Sequence, residues 1–472
     1  MADDTPRATT APSRRALTIG LLLSVVAIAF EAMAVVTAMP AAAADLGDLD
    51  LYAWTFSAFM LAQTFAIVAA GQFSDRFGPK LPLAAGFVVF AVGIVVSASA
   101  PTMPVLLVGR FVQGLGGGTM NLAVMVLVAR VFDERERAVL MTGFSAAWMG
   151  PSFIGPPLAA WLSTALSWHW VFWSVLPLMA VAGALILRPL RELDLPPHAD
   201  VPAAPRQLAW AGLVAAGAAA LQLAGQQLAA GAAALQPAGQ HVELWSLVWA
   251  ALGLVLLWRA LPPLLPAGFR PTGGGLAAVI IVRAFTAGAF AGGQTFLPLM
   301  FVQAEKLRLE WAGAIITIGS CGWMIGAWLQ SRPWLRLRRD QIIIVGTACV
   351  LAGLVLVSAS AWLPGRLLAV AVAGWVVAGF GMGLSLASTS LAVMQLSETV
   401  ELGRNTSSLQ VGEALGNSIG AGIAGTLFAL GLAQSNLVFG FGAPLTAMAV
   451  IAALGLAASL RIGSVENFSA RP

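Results

Sequence analysis

The sequence predicts an all-α polytopic membrane protein: two six-helix bundles joined through two additional central helices, fourteen transmembrane helices in all. Three observations carry this. Of 472 residues, 59% are hydrophobic and 10% charged, whereas a soluble globular chain is about 25% charged. The apolar residues come in long blocks, each near the roughly 20 residues that a helix needs to cross about 30 Å of hydrocarbon. The basic residues fall between the blocks and alternate by side. The 50 glycines and 26 prolines follow no three-residue period, so a collagen-like chain is excluded.

The first block, 16–40, follows Arg14 and Arg15 and precedes the Ala41–Ala44 tract, which imitates a signal peptide with its cleavage site. It is too long and, with Glu31 inside it, too polar for a signal h-region, and is read as a permanent helix. Blocks 52–72, 81–100, 103–131, 137–164 and 169–188 complete the first bundle, 16–188. The stretch 189–206 holds Arg191, Glu192, Asp194, Asp200 and several prolines, a linker in water. Two further blocks, 207–230 and 242–261, form the central pair, 207–261. The first of these carries Gln222, Gln226 and Gln227, so a twelve-span chain with an interfacial insert is the alternative. After a second linker, 262–274, the blocks 275–302, 309–331, 341–360, 366–394, 405–431 and 436–460 build the second bundle, 275–460, between tails 1–15 and 461–472.

Of the 25 basic residues, only Lys306, Arg308 and Arg366 lie in the loops of one side, and Arg110 and Arg283 lie inside spans. The rest collect on the other side, in the tails and in the loops around Arg76 and Lys80, Arg130 to Arg137, Arg188 to Arg206, Arg259 and Arg270, Arg332 to Arg339, and Arg404. The positive-inside rule then places both termini in the cytoplasm. Charge scattered this way predicts no nucleic-acid partner. The bilayer is the expected surrounding and a monomer the expected state. Arg outnumbers Lys 23 to 2, which with heavy Ala and Gly usage hints at a GC-rich bacterial genome and hence the bacterial cytoplasmic (inner) membrane.

Chemistry of the catalytic kind finds no support. Cys321 and Cys349 sit within apolar runs and read as buried free thiols. His169, His198 and His241 are far apart and lack metal-ligand spacing. No Walker lysine, Gly-x-Ser-x-Gly elbow or His-Glu-x-x-His appears. No cofactor and no metal are expected, and a membrane-embedded enzyme is the disfavoured class. The glycine runs Gly114–Gly118, Gly379 to Gly383 and Gly416 to Gly420 read as close helix packing rather than phosphate cradles. Trp168 and Trp170, at a span boundary, read as interface anchors.

Short motifs add a resemblance. The turn after the second span reads Gly71-Gln72-Phe73-Ser74-Asp75-Arg76-Phe77-Gly78-Pro79-Lys80. It is similar to the signature between helices two and three of the major facilitator superfamily, with Pro79 where a basic residue is usual. Gly71 permits close helix approach and Gly78 a tight turn. Arg110-Phe111-Val112-Gln113-Gly114 resembles the Arg-x-x-Gln-Gly element of proton-coupled efflux members. Pro151 to Ala160, with Gly155 and Pro156, resembles the antiporters' helix-five signature, Ala159 and Ala160 replacing glycines. Glu31 to Pro40, including Met33, resembles the span-one element of fourteen-span drug:proton antiporters. The halves echo each other too: Gly326 to Arg332 repeats the Gly71 to Arg76 pattern, and Glu398 to Arg404 the Asp133 to Arg137 turn.

Four charges fall within spans: Glu31, Arg110, Arg283 and Glu413. Each is expected to have a partner or a wet cavity, because a charge at the bilayer centre costs about 2.5 to 3.5 kcal/mol even on the insertion scale. With Pro40 as the outer end of its span, Glu31 lies about 13 Å deep, and Arg110 about 10 to 12 Å below the start of its own. The two are expected to meet, burial working against the carboxylate's charge and the guanidinium for it. Glu413 is a second candidate for proton or cation binding.

The resemblance implies a secondary transporter that exports amphipathic organic compounds or drugs in exchange for protons by alternating access. Proton coupling falls to Glu31, Arg110, Gln113 and Glu413. A latch falls to Gly71, Asp75, Arg76, Gly78 and Lys80, and the helix-five face to Pro151, Gly155 and Pro156. The expected substrate cavity draws on Met33, Gln63, Asn121, Trp148, Arg283, Phe290, Gln294, Trp323, Trp375, Phe380, Gln410 and Asn417. A lipid translocator on the same fold is the nearest alternative.

Overall fold

The computed structural model describes residues 11–132, 134–193, 205–233, 239–266, 268–332, 334–363, 365, 367–398 and 401–466, and their regular structure is helical throughout. The first group of helices comprises α1 (Ala11–Leu46), α2 (Trp54–Phe77), α3 (Lys80–Ala98), α4 (Met103–Val131), α5 (Glu134–Ala165), the single-turn α6 (His169–Trp173) and α7 (Val175–Glu192). The central pair is α8 (Pro205–Ala233) and α9 (Gly239–Ala260). The second group comprises α10 (Leu276–Gln303), α11 (Leu309–Gln330), α12 (Arg339–Trp362), α13 (Leu368–Leu396), α14 (Leu402–Ala433) and α15 (Leu437–Ser459). Counting α6 with α7 gives the fourteen spans expected. Among the described residues, length and apolarity alone pick out 13 of them. The fourteenth is α5, whose 32 residues reach about 48 Å. Its apolar run is broken by Pro151, Pro156 and Pro157.

Two boundaries differ from the sequence expectation. Pro40 does not end the first span: α1 runs on to Leu46, because the Ala41–Ala44 tract is a strong helix former that carries the helix past one missing N–H. The sixth span is not one helix from 169, since it breaks at Ser174 between α6 and α7. There Trp168 is buried, 3% exposed. Its indole N–H donates to Asp45 Oδ2 at 2.9 Å and its ring stacks on His169. Trp168 therefore ties the end of α1 to α6 and is not an interface anchor; Trp170, 51% exposed, keeps that reading.

In the first group α4 packs on α2 and α3, and α1 on α5 and α7; in the second α13 packs on α11 and α12, and α10 on α14 and α15. The glycine runs are buried contacts, as expected. A Cβ on Gly116 would overlap the backbone nitrogen of Phe90, and one on Gly416 the carbonyl oxygen of Ala284. Backbone cannot swing aside as a side-chain tip can. Gly116→Ala is therefore expected to destabilise the first bundle by about 1 to 3 kcal/mol, read as a lowered unfolding midpoint of the purified protein in detergent. Cys321 and Cys349 are both half-buried and free.

The groups meet along two seams. In one, α5 faces α11, and a Cβ on Gly313 would stand 3.0 Å from the Pro156 carbonyl oxygen and 3.1 Å from Thr37. In the other, α2 faces α14; just before α2, Ala53 lies against Gly425 of α14 and Tyr52 lies 5.4 Å from the Phe296 ring of α10. All these residues lie toward the arginine-poor ends of their helices. At the middle of α5, Trp148 and Met149 are 42% and 44% exposed.

Candidate functional site

Among the described residues, the four charges expected within spans form two clusters, one in each helical group. In the first, α1 supplies Glu31 and α4 supplies Arg110, side chains 1% and 4% exposed. Arg110 Nη1 forms an ion pair with Glu31 Oε1 and donates to Gln113 Oε1 at 3.1 Å. Its Nε donates to the Thr55 carbonyl oxygen at 3.0 Å, and its guanidinium carbon lies 4.6 Å from the Phe59 ring centre. Gln113 stands three residues after Arg110, so helical geometry puts both on one face. Ser97 of α3 donates its hydroxyl to Gln113 Oε1 at 3.1 Å, which turns the amide oxygen toward the guanidinium.

The cluster is lopsided. Arg110 is held by a carboxylate, an amide oxygen, a backbone carbonyl and an aromatic face. Glu31 Oε2 and Gln113 Nε2 are buried with no partner. A buried polar atom left unpaired is costly, so Glu31 offers one oxygen to a proton or a cation while its other oxygen holds the arginine.

The second cluster joins Arg283 of α10 to Glu413 of α14, 10% and 28% exposed. Sequence reasoning placed these two in separate roles, and the fold pairs them. Arg283 Nε and Nη2 both donate to Glu413 Oε2, at 2.9 and 2.8 Å. Nη1 donates to the Leu386 carbonyl oxygen and to Thr389 Oγ1, the latter at 2.7 Å. The first bundle thus pairs its first helix with its fourth, and the second pairs its first with its fifth. Because Glu413 is partly exposed, Glu413→Gln is expected to cost under about 1 kcal/mol of stability. Arg283→Ala strands buried acceptors and is expected to cost about 1 to 3 kcal/mol; unfolding midpoints of the two variants check the ordering.

The remaining expected residues are dispersed. Gly71 lies against Leu122 of α4, and Gly78 ends α2 at φ +75°, the tight turn that glycine permits. Lys80 donates to the Leu193 carbonyl oxygen. Asp75 and Arg76 close the last turn of α2, and their side chains lie outside the described residues. Gly155 lies against Met33, Pro156 faces α11 as described, and Pro151 is buried. Phe290 stacks on Trp375 at 4.5 Å and meets Trp323 edge-on at 5.4 Å. Trp375, 2% exposed, packs against Gly319 inside the second bundle. Gln63, Gln294, Phe380 and Asn417 are half-buried, and Asn121 and Gln410 exposed.

Sequence reasoning missed Ser97, Thr55 and Phe59 around Arg110, and Thr389 around Arg283. Thr55 acts through its backbone carbonyl, which no side-chain pattern encodes. Ser97 and Thr389 are lone hydroxyls in apolar runs, a signal available but weak.

The Major Facilitator Superfamily profile matches residues 21–374. The chain is 26% identical over 420 residues to the multidrug transporter protein MdtP of Bacillus subtilis, covering 88% of this chain and 75% of that protein. It is 32% identical over 180 residues to multidrug resistance protein 3 of the same organism, covering 38% and 35%. A solved POT family transporter in complex with 5-aminolevulinic acid superimposes with TM-score 0.70 at 13% identity, over 97% of this chain and 99% of that one; the likeness is one of fold.

Proposed function

The chain belongs to the Major Facilitator Superfamily and is a membrane transporter, and on that premise we propose that it exports amphipathic organic compounds, cationic drugs among them, in exchange for protons by alternating access. The observation that carries this is the Glu31–Arg110 pair, buried, with one carboxylate oxygen unpartnered. A proton neutralises Glu31 and weakens its hold on Arg110, which keeps Gln113, Thr55 and Phe59. Proton loss restores the pair. Because the pair lies on α1 and α4, its state is felt where α1 meets α10 and α11 of the other half. Charge on Glu31 is in this way linked to the angle between halves, and a ligand that favours one charge state favours one conformation.

In this reading Gln113 orients the pair, Asp75, Arg76 and Lys80 latch the arginine-rich side, and Pro156 with Gly155 shapes the α5 face that rocks on α11. Glu413 with Arg283 forms a second polar station in the second half, and Phe290, Trp323 and Trp148 are assigned to the substrate cavity. The arginine-rich face is cytoplasmic, the membrane is the bacterial inner membrane, and the unit is a monomer. The resemblance to two multidrug transporters supports the substrate class.

The test is accumulation of a fluorescent lipophilic cation in proteoliposomes under an imposed pH gradient. Accumulation that follows the gradient and collapses with a proton ionophore is expected. Transport indifferent to the ionophore would remove the proton from the account.

A further inference from the structure

The two central helices differ sharply in setting. Helix α9 exposes Trp245, Leu247, Leu254 and Trp258, the last at 83%, and packs mainly on α8. Helix α8 instead packs on α2 of one half and α14 of the other. Phe65 of α2 lies against Gly212, and Leu61 of α2 and Leu415 of α14 share an apolar cluster with Val214 and Ala218. Both seams between halves close by direct contact, and the α2–α14 seam also has α8 packed along it.

The outer end of that three-helix contact is polar. Trp54 of α2 donates its indole N–H to Gln226 Oε1 at 3.1 Å, and Gln226 Nε2 donates to the Asp50 carbonyl oxygen at 3.4 Å. Gly225 lies so close to Thr426 of α14 that a Cβ there would overlap the threonine side chain, and Gln222 packs on Gly422. Asp50, Trp54, Gln222, Gln226 and Thr426 line a cavity of about 10 Å³, the lower limit for a single water and too little to solvate both ends of the Gln222 amide. Gln222, 7% exposed, has both amide atoms buried without a partner. The same side chain in a widened, water-filled seam would lose that penalty.

We propose that α8 is a third component of the outer gate. Gln226 clasps the first half through Trp54, the Gly225–Thr426 contact clasps the second half, and Gln222 opposes closure, so that the helix sets the balance between outer-closed and outer-open forms. The clasp must break when the outer face opens, because its two sides belong to different halves. This gives α8 a function in the transport cycle that does not involve touching substrate. It rests on the alternating-access reading and is independent of which compound is carried.

The test uses the full-length protein in lipid nanodiscs with Cys321 and Cys349 replaced by Ala. Spin labels at Asp48→Cys and Ser435→Cys, exposed turns on either side of the α2–α14 seam, report its width by electron–electron distance measurement without added substrate. Gln222→Leu keeps the volume and removes the unpaired amide; it is expected to raise the closed-to-open ratio by about tenfold. Trp54→Phe removes the N–H donor and is expected to move the ratio the other way. Opposite shifts exclude a general loss of fold, and an unfolding midpoint for each variant checks this directly. If both variants leave the wild-type distribution unchanged, or shift it in the same direction, α8 is not part of the gate. A single distance in wild type at every pH and with every test cation would overturn the alternating-access reading and the gate with it.

Discussion

Replacing Glu31 with Gln is expected to abolish gradient-driven cation accumulation, to the level of protein-free liposomes, while the protein remains folded. The amide is nearly isosteric and its oxygen can accept from Arg110 Nη1 as the carboxylate does. It carries no proton on and off at any pH of interest. Arg110 keeps Thr55, Gln113 and Phe59, so most of its partners survive the change. A mutant that binds the lipophilic cation, melts within a few degrees of wild type and fails to respond to the gradient is the expected phenotype. Fluorescence accumulation, a direct binding titration and an unfolding midpoint separate the three properties.

Arg110→Met is expected to be the more damaging change to stability. It leaves Glu31, 1% exposed, with no cation to face. Breaking a buried pair from one side costs about 3 to 5 kcal/mol, and the carboxylate then takes up a proton instead of staying charged. The double variant Glu31→Gln with Arg110→Met removes both charges and is expected to recover most of the lost stability and none of the transport. Unfolding midpoints for the two single variants and the double complete a mutant cycle whose coupling is large because the side chains touch. Additive effects would mean that the two groups do not act as a pair.

Helix number and the six, two, six order follow from apolar length, and the structure keeps them, including α5, whose prolines depress its apolarity but not its length. Boundaries were legible only where a breaker is decisive. Gly78 ends α2 as expected, whereas Pro40 is overridden by the alanines that follow. The meeting of Glu31 with Arg110 was legible because two opposite charges at similar depth in an apolar bundle have few alternatives.

The Arg283–Glu413 pair was less legible. Both charges were visible, but α10 and α14 enter from the same side, and only the packing of the second bundle shows that they face each other. Trp168 was misread because a tryptophan at a span end is usually an interface anchor, and its buried bond to Asp45 depends on α1 running six residues beyond Pro40. The bridging position of α8 was invisible for a related reason. Gln222, Gln226 and Gln227 looked like weakness in a membrane span, yet Gln222 and Gln226 lie at a seam between three helices.

The central claim is that Glu31 cannot hold its proton and serve a cationic substrate at once. Proton release on substrate addition tests it most directly, with purified protein in a weakly buffered solution containing a pH indicator. Wild type is predicted to release protons in proportion to the cation bound, and Glu31→Gln to bind the cation with no release above a buffer blank. Equal release from both proteins, or binding by wild type without any release, would contradict the claim.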